Sequence, residues 1–187
     1  QLIITMISFL HIYKFVLSIC SLIFNKGKVL YKFKSEEYTG LDGKQVPMNI
    51  YYYKKDTEKT VIIILGASPD GEKHKVINSL AKIITRFGYN VFIPRIPPLM
   101  KLDISNKNID WITYIYKMVK ARKDVNPNCI TTLGISYGGG MLLKASLRKE
   151  MVKEAPKSIF LYGAGCNTDT ILNFITKGEF QNDGKIN

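Results

Sequence analysis

The chain has 187 residues, 46% hydrophobic and 22% charged, which is enough to bury one good core and too apolar for a disordered segment. Lys and Arg number 27 against 15 Asp and Glu, a net charge of +12, but the basic residues are spread along the chain without an aromatic-interleaved block, which argues against nucleic acid as a partner. The three cysteines, Cys20, Cys129 and Cys166, are odd in number and far apart, so neither a disulfide framework nor a metal site is expected, and no cofactor motif occurs.

Residues 2–24 are almost uninterruptedly apolar. As a helix at about 1.5 Å per residue they would reach roughly 34 Å, enough to cross a bilayer core. Lys14 sits at the middle and costs about 2.5–3.5 kcal/mol there, against about 0.3–0.6 returned by each apolar side chain. A membrane anchor is the favoured reading; a signal segment starting at Met6 and a buried or interfacial helix are the alternatives. No alanine precedes Ala67, so the small-residue cleavage site of a signal peptide is missing. The lysines at 26, 28, 32 and 34 favour a cytoplasmic globular part if the segment spans. The expected organisation is an apolar segment over residues 1–25 and one globular domain over residues 26–187.

The globular part opens with two strands, over residues 28–38 and 47–54, joined by a glycine-rich turn at 40–44. In the first, Val29, Tyr31 and Phe33 face one way while Lys28, Leu30, Lys32 and Lys34 form a solvated face. The β-branched run 61–65 reads as a strand buried on both sides, followed by a loop over 66–71. Residues 72–87 repeat apolar side chains at helical spacing, with Val76, Leu80, Ile83, Ile84 and Phe87 on the core side and Gly88 as the stop. A strand over 90–93 leads through a proline-rich loop at 95–98 to a helix over 109–122, with Trp111, Ile115, Met118 and Val119 inward. A strand at 129–133, a helix at 139–147, a buried strand at 158–162 and a short helix at 169–176 complete the pattern. Such alternation defines an α/β fold, a three-layer α/β/α sandwich with a mostly parallel sheet. The start at Gln1 and the polar, turn-like end over 181–187 read as those of a fragment truncated at its C-terminus.

In parallel sheets, ligands bind beyond the C-terminal strand ends, where the loops 66–71 and 95–98 and the turn after residue 133 converge. That turn reads Gly134-Ile135-Ser136-Tyr137-Gly138. A serine on a sharp strand-to-helix bend projects its hydroxyl from the sheet edge and needs small residues two places before and after it. Together with the preceding units it resembles the nucleophile elbow of the α/β-hydrolase family, a likeness covering residues 29–176. The resemblance implies that Ser136 attacks an ester, thioester or amide carbonyl and forms an acyl-enzyme. It also implies an oxyanion hole made by the backbone N–H of Tyr137 and a second donor from Ala67 or Ser68.

The sequence departs from the family at several points. Many members carry His-Gly where this chain has Leu65-Gly66, which removes an imidazole that braces the oxyanion loop. The family order is serine, acid, histidine, yet no histidine follows Ser136; the chain's two are His11 and His74. His74 reads as a solvated surface residue, Asp70 as part of a β-turn, and Arg95 as the partner of a structural carboxylate. Asp169 occupies a position some members use for the acid, although a helix there also fits the start of a lid. The base and acid are therefore expected beyond Asn187, leaving the chain alone nearly inactive. The implied function is a membrane-associated serine hydrolase with a small-molecule or lipid-like acyl substrate. A non-catalytic protein of the same fold and a membrane-anchored acyltransferase are the alternatives.

Overall fold

The computed structural model describes residues 31–55, 57–165, 177, 181–182 and 185–186. The apolar stretch 2–24, the start of the first expected strand and the expected helix at 169–176 with Asp169 lie outside the described residues. Among those described, no helix is long and apolar enough to cross a membrane.

Strands β1 (Tyr31–Thr39), β2 (Gln45–Tyr53), β3 (Thr60–Ile64), β4 (Asn90–Pro94), β5 (Ile130–Ile135) and β6 (Ser158–Tyr162) form one sheet in the order β1-β2-β4-β3-β5-β6. The glycine-rich turn closes a β1–β2 hairpin, with the Gly40 N–H donating to Lys44 O at 2.7 Å. The β1–β2 and β2–β4 pairings are antiparallel, whereas β3 pairs in parallel with β4 and β5, and β5 with β6. The C-terminal ends of β3, β4, β5 and β6 consequently share one edge.

Helices α1 (Lys75–Arg86), α2 (Pro97–Met100), α3 (Lys107–Lys120), α4 (Tyr137–Ser146) and α5 (Lys149–Lys153) flank the sheet, and a 3-10 turn at Gly71–Lys73 precedes α1. One core cluster joins α3, α4 and α5 to the sheet through Trp111, Ile112, Ile115, Leu142, Ala145 and Met151. The other sets Ile77 and Ala81 of α1 against Val61, Ile63, Val91 and Ile93. Both faces of β3 and β4 are thus covered, and every residue of these strands is buried. Their near-continuous apolar sequence follows from that position.

Several expectations change. The core side of α1 is Ile77, Ala81 and Thr85, one residue out of phase with the predicted set, and Val76 is 68% exposed. The large side chains Val76, Leu80 and Ile83 instead border an apolar groove of about 470 Å³ with Leu133, Ile135 and Tyr162. Strand β6 is not buried: Phe160, Leu161 and Tyr162 are exposed, because among the described residues the strand has a single neighbour and lies at the sheet edge. Helix α5 and the two-residue strands β7 (Gln181–Asn182) and β8 (Lys185–Ile186), which pair antiparallel, are too short to leave a periodic signal.

A polar cluster fastens the hairpin to the end of α3. Arg122 donates to Asp124 through Nε at 2.8 Å and Nη2 at 2.9 Å, bonds Glu36 of β1, and lies over the Phe92 ring at 5.2 Å. Tyr52 of β2 donates to Asp124 Oδ2 at 2.7 Å. Hydrogen bonds from Arg122 hold the Asp124 carboxyl below its usual range. For Glu36, burial alone would raise the value, but Lys34 and Arg122 together outweigh it and lower it. An unfolded chain therefore takes up protons first as pH falls. The stabilisation is complete above the ordinary carboxylate pKa of about 4 and is lost as pH drops through the lowered folded values. Arg122→Met should flatten the pH dependence of the urea midpoint below about pH 4.5; a slope equal to that of the unsubstituted protein would contradict this account.

Candidate active site

The register of the parallel strands builds the site. Ile64 lies opposite Gly134 and Ile135 opposite Tyr162, so one step beyond the strands Gly66 and Ser136 come side by side. The Ser136 N–H continues the ladder by donating to Tyr162 O at 2.9 Å. The chain then reverses sharply into α4, with Ser136 at φ 53° and ψ −133°. Such a conformation costs a non-glycine residue about 1–3 kcal/mol and persists only where the surroundings enforce it. The serine side chain is exposed at the rim of the sheet rather than packed in the core.

The enforcement comes from backbone packed on backbone. A Cβ on Gly138 would stand 1.9 Å from Leu65 O and 3.1 Å from Gly66 N, so the first turn of α4 rests directly on the end of β3. A Cβ on Gly134 would stand 2.6 Å from the Cα of Gly139. Gly139 and Gly140 admit the loop after β6 in the same way, against Ala164 and Gly165. Four glycines thus compress three strand ends and one helix start around Ser136.

Two amides near Ser136 have no protein acceptor among the described residues. Tyr137 opens α4, and its N–H belongs to the unpaired first turn, where the helix dipole favours negative charge. The Ala67 N–H follows Gly66, whose Cβ position is 3.5 Å from Ser136 Oγ. Ser68, the other expected donor, has its N–H donating to Leu99 O at 3.2 Å, because the loop folds back on α2. The Tyr137 side chain packs partly against the core, and its hydroxyl donates to Ile104 O at 2.5 Å.

No titratable side chain among the described residues hydrogen-bonds to Ser136 Oγ. His74 caps α1 and is half-buried, with a buried Nδ1 that has no hydrogen-bond partner among the described residues, so it is not the solvated residue expected. Asp70 is exposed at the entry to the 3-10 turn, in keeping with its reading as a turn residue. Arg95 does find a structural carboxylate, as anticipated: its Nε and Nη2 donate to Glu72 at 2.7 and 2.6 Å. The hydrogen bond to Glu72 raises the guanidinium above its ordinary range. The buried partner Glu72, eight residues after the end of β3, is a residue that the sequence pattern does not single out. No cluster of His, Cys, Asp and Glu able to hold a metal occurs among the described residues.

An apolar groove of about 560 Å³ lies elsewhere. Val61, Ile84, Tyr89, Leu133, Phe160 and Leu161 line it on the α1 side of the sheet, where no helix among the described residues covers β5 and β6. It is an open sheet face, and Ser136 does not border it.

No protein-family model and no curated protein matches the sequence. Solved structures do. The esterase Est22 superposes with a TM-score of 0.58 at 19% identity over 71% of this chain and 44% of its own. Brefeldin A esterase, a bacterial homologue of human hormone-sensitive lipase, gives 0.53 at 11% over 69% and 38%. Dienelactone hydrolase from Anabaena variabilis gives 0.56 at 12% over 72% and 64%. The chain has the α/β-hydrolase fold. It spans about two-fifths to two-thirds of the length of these structures, so part of their fold has no counterpart in the matched region.

Because the Gly138 contact is with backbone, no side-chain movement relieves it. Gly138→Ala should cost about 3 kcal/mol in urea denaturation, the upper end for overpacking. Gly43→Ala, at φ 77° with nothing within 4 Å, should cost only about 1–2 kcal/mol from left-handed strain. Equal losses would argue against backbone contact as the constraint on the bend.

Proposed function

We propose that the protein is a serine hydrolase in which Ser136 attacks an ester, thioester or amide carbonyl and is transiently acylated. The observation that carries this reading is the exposed Ser136 in a left-handed bend at the sheet edge, beside two amides without acceptors among the described residues. In the attack the hydroxyl oxygen bonds to the carbonyl carbon, its proton passes to a base, and the carbonyl oxygen becomes an oxyanion. The N–H groups of Tyr137 and Ala67 receive that charge, with the α4 N-terminus adding its dipole. Preorganised amides need no rearrangement as charge develops.

The base and acid come from outside the described residues. His74 makes no hydrogen bond to Ser136, and the matched hydrolases are longer than the region they share with this chain. The open apolar face at β5 and β6 adjoins the strand end that supports Ser136 and gives further polypeptide a surface on which to pack. The apolar composition of residues 2–24 supports membrane attachment and, with it, a lipid-like acyl substrate. The lack of a histidine at Ser136 among the described residues favours one other reading, a non-catalytic binding protein on the same scaffold.

A fluorophosphonate probe applied to the full natural protein decides between the two. Labelling of the unsubstituted protein that disappears in Ser136→Ala is the expected result. Absence of labelling from both, or its persistence in the variant, would remove the enzymatic reading.

A further inference from the structure

Glu72 is the anomaly of the sheet edge. Its side chain is 2% exposed, yet it sits in the loop that leaves β3 beside Ser136. Burying a carboxylate is costly unless it is paired and hydrogen-bonded, and here the compensation is unusually complete. Arg95, the first residue after β4, meets both carboxylate oxygens with two parallel N–H bonds. A fork of this kind fixes direction as well as distance, unlike the point charge of a lysine.

The backbone of Glu72 is held as firmly as its side chain. Its carbonyl accepts from Asn49 Nδ2 of β2 at 2.9 Å and from Asn78 Nδ2 of α1 at 2.7 Å. Tyr51 donates to Asn78 Oδ1 at 2.7 Å, which orients that amide. Arg95 is itself seated, its N–H donating to Pro47 O at 3.0 Å and its carbonyl accepting from Tyr38 at 2.5 Å. Within the loop, Gly71 donates to Ser68 O at 3.2 Å. Residue 72 is therefore tied to β2, β4 and α1, while Gly66 at the other end is pressed against Ser136.

The segment between those two anchors carries Ala67. An amide serves an oxyanion only if its direction is set before charge develops, and an error of about 1 Å in such a group can cost roughly 100-fold in rate.

We infer that the Glu72–Arg95 pair is a positioning clamp that fixes the residue 66–73 loop so that the Ala67 N–H remains aimed at the oxyanion formed at Ser136. This rests on the serine-hydrolase reading and adds to it the residues that rigidify half of the oxyanion hole. Neither side chain touches substrate. Their effect reaches the reaction through the loop backbone alone.

The test uses the full natural protein, with p-nitrophenyl butyrate as substrate and active sites titrated by fluorophosphonate. Glu72→Gln keeps the shape but removes the charge; Arg95→Lys keeps the charge but removes the fork. Each should lower kcat per titrated site at least tenfold with KM changed less than threefold. In each, amides 66–73 should exchange hydrogen at least tenfold faster while β3 and α4 stay as protected as before. A purely structural role would lower the melting temperature and leave kcat per folded site unchanged, and that result in either folded variant overturns the clamp. If Glu72→Gln does not fold, Arg95→Lys, which leaves Glu72 opposite a cation, carries both measurements. Unsubstituted protein without Ser136-dependent turnover overturns the hydrolase reading and the clamp's catalytic purpose together. Unsubstituted protein that turns over, with variants that match it, overturns the clamp alone.

Discussion

The contact between the first turn of α4 and the last residues of β3 governs this end of the molecule. The Leu65 carbonyl oxygen lies 1.9 Å from where a Gly138 Cβ would be, so helix and strand approach at a distance that only bare backbone allows. That approach leaves Ser136 no relaxed conformation: the chain must reach α4 from β5 within one residue, and the positive φ is the consequence. The exposure of the hydroxyl and the nearness of the Tyr137 amide follow from the same bend. Strain of about 1–3 kcal/mol is offset by the packing of four glycines against three strand ends.

Around this bend the sheet edge is organised by charge as well as by close packing. Leu65 and Gly66 are held from one side by the elbow, and Glu72 from the other by Arg95, Asn49 and Asn78. The loop between them is short and anchored at both ends, unlike the mobile connections usual at protein surfaces. A second ion-pair system, the Arg122 cluster, secures the hairpin of β1 and β2 through Glu36 and Tyr52.

The apolar face over β5 and β6 has a different character. Phe160, Leu161 and Tyr162 expose surface that a sheet of this class ordinarily covers, and Val76, Leu80 and Ile83 of α1 border the same region. This face lies next to the Tyr162 carbonyl that receives the Ser136 amide, so whatever packs there adjoins the bend itself.

Much of this was legible from residue order alone. Periodicity and turn residues located β2 to β5, α3 and α4, because continuous β-branched runs and helical spacing report burial directly. The glycine spacing about Ser136 announced the bend, since only a tight strand-to-helix turn needs small residues at those offsets. The phase of α1 was not legible: Val76 and Ile77 are equally apolar, and only packing against Val91 and Ile93 selected Ile77. The exposure of β6 was hidden for a similar reason, as an edge strand and a covered strand share one composition. The spent amide of Ser68 and the pairing of Glu72 with Arg95 were decided by the fold alone. Hydrogen-bond partners far apart in sequence are chosen by where strands end in space, and local pattern carries no record of that.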